Sequence, residues 1–86
     1  MYIDVLLKFD SVSMPRMGYS EVKQIFLESG FKQIEFYRYR GDNEQTNVDA
    51  CLAIQKVSKL RWFNEVIQDI KLINTWSEDD AMPLIK

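Results

Sequence analysis

The sequence contains no histidine, so the commonest general acid–base group and the commonest transition-metal ligand are both missing. Any chemistry must run on carboxylates, hydroxyls, lysine, tyrosine or the single thiol of Cys51. One cysteine excludes an internal disulfide, and nothing in cysteine usage points to an oxidising compartment. Only three glycines and two prolines occur, with no phosphate-cradling glycine loop, zinc-ligand spacing or catalytic triad pattern among the residues. No apolar run approaches the roughly 18 residues of a membrane span, and no charged-then-apolar leader is visible. The expectation is a cytoplasmic protein with no membrane association.

What is present is the composition of an ordinary globular domain: 47% hydrophobic, 28% charged and 13% aromatic. Eighty-six residues make one domain, 1–86, which buries about 60–65% of its unfolded surface. A net charge of −2 and a pI near 5.0 exclude general coating of nucleic acid but leave room for a local basic patch.

Along the chain, Met1 to Asp10 alternates as a strand. Ile3, Val5, Leu7 and Phe9 take the core face, while Asp4 and Asp10 face outward or into a partner. A loop over Ser11 to Gly18 leads to a helix at about Tyr19 to Ser29. Val22, Ile25, Phe26 and Ser29 follow helical spacing there, and Gly30 stands in the C-cap position. Phe31 to Arg40 is extended but too long for one small-domain strand, so a bend near Glu35 is expected to split it before the turn Gly41-Asp42-Asn43. The next helix starts at Thr46, whose hydroxyl is expected to cap it, with Asp49 near its positive end. Its apolar stripe is Ala50, Ala53, Ile54, Val57 and Leu60. Trp62 to Val66 reads as one helical turn and Ile67 to Trp76 as a last strand.

Two strand–helix–strand units with right-handed crossovers predict an α+β, ferredoxin-like βαββαβ sandwich, with both helices on one face of the sheet and a short C-terminal extension. The open face has Leu6 and several aromatics to cover, which homodimerisation would do.

The chemistry-bearing residues cluster weakly. In Glu35-Phe36-Tyr37-Arg38-Tyr39-Arg40, aromatic and basic side chains interleave. On a continuous strand Phe36, Arg38 and Arg40 share one face, and Tyr37 and Tyr39 the other. Sheet aromatics stack on unpaired bases while arginines meet phosphates. The plainer alternative, favoured by pattern alone, is a strand of high β-propensity with solvated arginines. Asp10, at a strand end with Lys8 two residues before it, is the best carboxylate candidate; its alternative is a turn-starting aspartate. Asp4 lies about 20 Å from Asp10 at strand rise, so the two cannot share a metal within one chain. Glu78-Asp79-Asp80 lacks further ligands and reads as a solvated helix start. Cys51 reads as a packing residue. No metal site is expected and no cofactor is specified.

Gly30-Phe31, Tyr39-Arg40-Gly41-Asp42, Trp62-Phe63 and Val66-Ile67-Gln68-Asp69-Ile70-Lys71 together resemble the virulence-associated protein D family over roughly Tyr19 to Lys86. These are toxin–antitoxin ribonucleases related in fold to small CRISPR-associated nucleases. The resemblance implies a homodimeric endoribonuclease, with a cognate antitoxin as a possible partner and the key acid in a phenylalanine–aspartate pair that Phe9-Asp10 repeats. It also implies a site between the first strand and the Tyr37 to Arg40 region. On this view Asp10, Tyr37 and Arg38 are catalytic, and Lys8, Tyr39 and Arg40 bind RNA. Two departures fall at that site. The aspartate comes about three residues later than the family's, so that an unshifted alignment puts Leu7 there, and Tyr37 replaces a serine. A fold kept with altered or lost activity, binding and regulating a protein or RNA partner, is therefore the alternative.

Overall fold

In the computed structural model, which describes residues 2–10, 18–74 and 78–84, the alternating N-terminal segment is a strand. This strand, β1 (Ile3–Phe9), buries Ile3, Val5, Leu7 and Phe9 as its pattern requires. The helix α1 (Gly18–Glu28) follows and ends at Gly30, whose φ of +91° gives the left-handed exit that a side chain would strain. The long extended segment divides into β2 (Lys32–Glu35) and β3 (Arg38–Gly41), a hairpin turned by Phe36 and Tyr37. The expected bend near Glu35 is thus a full reversal, with a bulge between Gln33 and Glu35. Then come α2 (Thr46–Ser58), the short α3 (Arg61–Val66), β4 (Ile67–Asn74), β5 (Glu78–Asp80) and a 3₁₀ turn over Met82–Leu84.

All pairings are antiparallel and the sheet order is β2-β3-β1-β4-β5, so the molecule is α+β. Strand β1 is central. Its inward residues Val5, Leu7 and Phe9 share one core with Tyr39, Ile70, Val22 and Phe26 of the neighbouring elements and with Ala50, Ala53, Ile54 and Val57 of α2. The stripe read on α2 is therefore its buried face, with Leu60 packed at its edge. Phe26 stacks on Tyr39 at 4.6 Å, and Phe9 meets Phe63 edge-on at 5.5 Å. Burying each such side chain contributes about 1.5–3 kcal/mol.

Two local expectations are corrected. Thr46 does not cap α2: no side-chain cap bond forms there, and Thr46 is buried close against Gly41. Asn43 Oδ1 instead accepts from the Gln45 N–H at 2.8 Å, an Asx turn that sets the chain's entry into the helix. Glu78-Asp79-Asp80 is not a helix start but an exposed edge strand paired with β4. Lys71 lies 3.3 Å from Glu78, which offsets part of the repulsion within the acidic run. The loop expected over Ser11 to Met17 and the end of the last expected strand at Trp76 lie outside the described residues. Among the described residues no helix is long and apolar enough to cross a membrane.

Candidate functional site

The sheet face opposite the helices carries the even-numbered residues of β1. Register places Arg40 opposite Asp4 and Arg38 opposite Leu6, so both arginines stand on this face. There they converge on Asp4, which is fully buried. Arg40 donates from Nε to Asp4 Oδ1 at 2.7 Å and from Nη2 to Oδ2 at 3.0 Å. Arg38 donates to Oδ2 from Nε at 2.8 Å, and its Nη2 forms an ion pair with the same oxygen at 2.7 Å. Burial pushes the Asp4 carboxyl up, but hydrogen bonds from Arg40 and Arg38, with their charges, outweigh it and hold the carboxyl below the usual carboxylate range. The Arg40 guanidinium is shifted up in turn, foremost by its hydrogen bond to Asp4, and lies 4.0 Å over the Tyr2 ring.

A second group of residues gathers where β1 ends. Lys8 is exposed on the open face, diagonal to Arg38 in the register, about 7–8 Å between backbones. Asp10 follows directly, half-buried, its N–H donating to Val66 O at 2.8 Å. Tyr37 arrives there through the hairpin turn: its carbonyl accepts from Leu7 N–H at 3.0 Å, and its ring lies 4.9 Å from Phe9 and 5.6 Å from Tyr19. Its φ of +68° is in the left-handed region, a conformation that strains a bulky aromatic residue by about 1–3 kcal/mol. Burial, foremost, and neighbouring Tyr19 raise its phenol pKa, so the hydroxyl stays protonated across the neutral range. Phe36, 64% exposed, stacks on Tyr19 at 4.3 Å, and Gln33 Nε2 donates to the Tyr19 hydroxyl.

The six residues singled out in the sequence therefore separate. Lys8 and Arg38 stand on the open face near the end of β1, Asp10 comes just after that strand, the Tyr37 ring packs on the helix side against Phe9 and Tyr19, and Arg40 stands one pair further along the open face. Tyr39 is fully buried on the opposite side of the sheet, stacked on Phe26, with its hydroxyl finding no hydrogen-bond partner among the described residues. The shared face of Phe36, Arg38 and Arg40 required a continuous strand, and the turn at Phe36 and Tyr37 breaks it. Asp4, the ion-pair partner of both arginines, was read only as an outward or partner-facing residue. Its signal was a lone carboxylate between Ile3 and Val5 in a strand otherwise suited to burial. Among the described residues, no group of three or more acidic or cysteine side chains is arranged to hold a metal. Compared with known proteins, the chain matches no protein-family model, and no curated protein matches it either.

Proposed function

We propose that the chain is an endoribonuclease of the toxin–antitoxin type that cleaves RNA as a homodimer. What supports this reading is the placement near the end of β1 of Asp10, of Lys8 and Arg38 on the open face, and of the protonated Tyr37 phenol at the adjoining hairpin turn. RNA brings its own nucleophile, the 2′-hydroxyl, so cleavage needs orientation, charge stabilisation and proton transfer, not a nucleophilic side chain. Asp10 takes the 2′-hydroxyl proton, directly or paired with its copy across the dimer axis, as the 2′-oxygen bonds to phosphorus and the bond to the 5′-oxygen breaks, that oxygen leaving with a proton from water. Arg38 stabilises charge on the phosphate, and Tyr37 donates a hydrogen bond. Lys8 and Arg40 hold the flanking backbone. Buried Tyr39 supports the hairpin from beneath. The antiparallel order β2-β3-β1-β4 supports a ferredoxin-like sandwich, with β5 as an added edge.

The reading is tested by Asp10→Asn in a purified-RNA cleavage assay, with circular dichroism and thermal midpoint matched to the parent. Loss of a general base predicts a fall of about 10²-fold or more. Unchanged cleavage removes Asp10 from the chemistry. One observation favours a second reading, a non-catalytic dimer that binds a protein or RNA partner: both arginines are already engaged by Asp4. Absence of cleavage above a heat-killed preparation, with a stable dimer and a specific partner on pull-down, selects that reading.

A further inference from the structure

Asp4 is the only charged side chain among the described residues that is buried. A carboxylate offers about four acceptor positions, and two guanidiniums converge on it, Arg38 and Arg40 at Oδ2 and Arg40 also at Oδ1. What it does is hold two cations side by side that would otherwise repel each other. Each guanidinium carries five N–H donors, so each keeps three beyond those given to Asp4. Both reach solvent, with the Arg38 side chain 26% exposed and that of Arg40 37%.

The surroundings of the pair are electrically lopsided. Across from Arg40 stands Lys32, across from Arg38 stands Glu35, and across from Asp4 stands Ile73. With Lys8, the β2-β3-β1 half of the face carries four cations against two carboxylates. The β4-β5 half carries Lys71 against Asp69, Glu78 and Asp80. A chain of net charge −2 thus concentrates its positive charge around one preorganised fork. Paired planar guanidiniums with fixed geometry match the oxygens of a phosphate, and the Tyr2 ring lies against Arg40 on the same half.

We infer that Arg38 and Arg40, locked together by Asp4, form a phosphate-binding fork on the open sheet face that takes the backbone of a single RNA strand. Asp4 is its positioning residue. The choice of RNA rests on the reading given under Proposed function, whereas the fork itself does not. The strand crosses from Arg40, opposite Asp4, to Lys8, a span of four β1 residues and about 13 Å at strand rise, and on toward Asp10.

The test uses fluorescence anisotropy with a short 2′-O-methyl oligouridylate, which lacks the nucleophile and cannot be cleaved. Binding is therefore read independently of catalysis. Arg40→Lys keeps the charge and loses the fork; a folded R40K protein is expected to bind about tenfold more weakly. Arg40→Gln is expected to reduce the slope of log affinity against log salt by about 0.7, the value for one lost single-strand phosphate contact. Asp4→Asn supplies a test of sign. Net charge rises by one, so simple attraction predicts tighter binding, but loss of the clamp predicts weaker binding. Weaker binding by a folded D4N protein supports the fork. Tighter binding by D4N, or unchanged affinity and salt slope in folded R40K and R40Q, overturns it. Equal binding of a polyglutamate peptide overturns the assignment to phosphate. The uncleavable oligouridylate reads the fork in R40K, R40Q and D4N without any chemistry, so failure of the cleavage reading and failure of the fork are separable.

Discussion

Replacing Asp4 with asparagine preserves volume and removes the charge on which two arginines depend. The carboxamide accepts at one oxygen only, and its NH₂ group opposes guanidinium donors. Removing one partner of a fully buried ion pair typically costs about 3–5 kcal/mol. Asp4 is fully buried, but the side chains of Arg38 and Arg40 are 26% and 37% exposed and can turn toward water when released. That relief reduces the expected loss to about 2 kcal/mol. For a domain of this size the corresponding fall in thermal midpoint is about 8–16 °C. Folding also depends on pH through Asp4. Its carboxyl is held below the usual range in the folded state, so the unfolded chain binds the proton more readily. The contribution is therefore fully present above the unfolded carboxylate range and is lost as pH falls through the lower folded value. Urea unfolding followed by tryptophan fluorescence, from neutral pH down through the carboxylate range, tests both statements. The parent should lose stability on acidification more steeply than D4N. A D4N protein within about 0.5 kcal/mol of the parent at neutral pH, or one with the same acid dependence, refutes the argument.

Other perturbations have equally definite outcomes. Gly41→Ala drives a methyl into Thr46 Oγ1 and the Phe31 ring, whose nearest atoms lie 3.0 and 3.1 Å from the added carbon, and should destabilise by about 1–3 kcal/mol in a urea titration. Phe26→Ala removes a fully buried ring that stacks on Tyr39 and should cost about 3–5 kcal/mol, read as a fall in the urea midpoint. Phe36→Ala removes a ring that is 64% exposed but lies against both Tyr19 and Tyr37, so stability should fall by about 1–2 kcal/mol, the scale of two exposed aromatic pairs. If the exposed ring stacks on bases, the same variant weakens anisotropy-measured oligouridylate binding by at least about fivefold.

The parts of the fold legible in the sequence are those set by local periodicity. Alternation in β1, the stripe from Ala50 to Val57 and the glycine exit at Gly30 each depend on near neighbours, and each is found. The environment of Asp4 depends on which strand lies beside β1. Alternation assigns its face but not its neighbour, and Arg40 reaches it only through pairing across 36 residues. Glu78 to Asp80 were misread for a related reason. Three consecutive carboxylates suggest solvation, yet the open edge of β4 offers backbone partners and Lys71 offers a counter-charge. At Thr46 two local motifs competed: Asn43 supplies the turn, and the threonine is drawn under Gly41. Tyr37 and Tyr39 are two residues apart, but the turn residue Tyr37 occupies a left-handed conformation that no strand pattern announces.

That conformation makes Tyr37 the residue on which packing and chemistry are most readily separated. A tyrosine held at φ +68° is tolerated because its ring is fixed against Phe9, Tyr19 and Phe36. Tyr37→Phe keeps the ring, the backbone angle and those contacts, and changes only the hydroxyl. Because burial and Tyr19 push the phenol pKa up, the hydroxyl is protonated near neutrality and acts as a donor, never as a base. A donor aimed at the scissile phosphate predicts that Y37F keeps its thermal midpoint and RNA affinity while kcat falls about tenfold or more. Its pH–rate profile should then keep the parent's shape near neutrality, since the raised Tyr37 phenol contributes no titration there. Equal kcat in Y37F assigns the tyrosine to packing alone and leaves Asp10, Lys8 and Arg38 to account for any cleavage. A lower thermal midpoint with unchanged kcat identifies the hydroxyl as a structural hydrogen-bonding group of the hairpin. The strained backbone then serves to seat the ring, and the chemistry lies elsewhere along the end of β1.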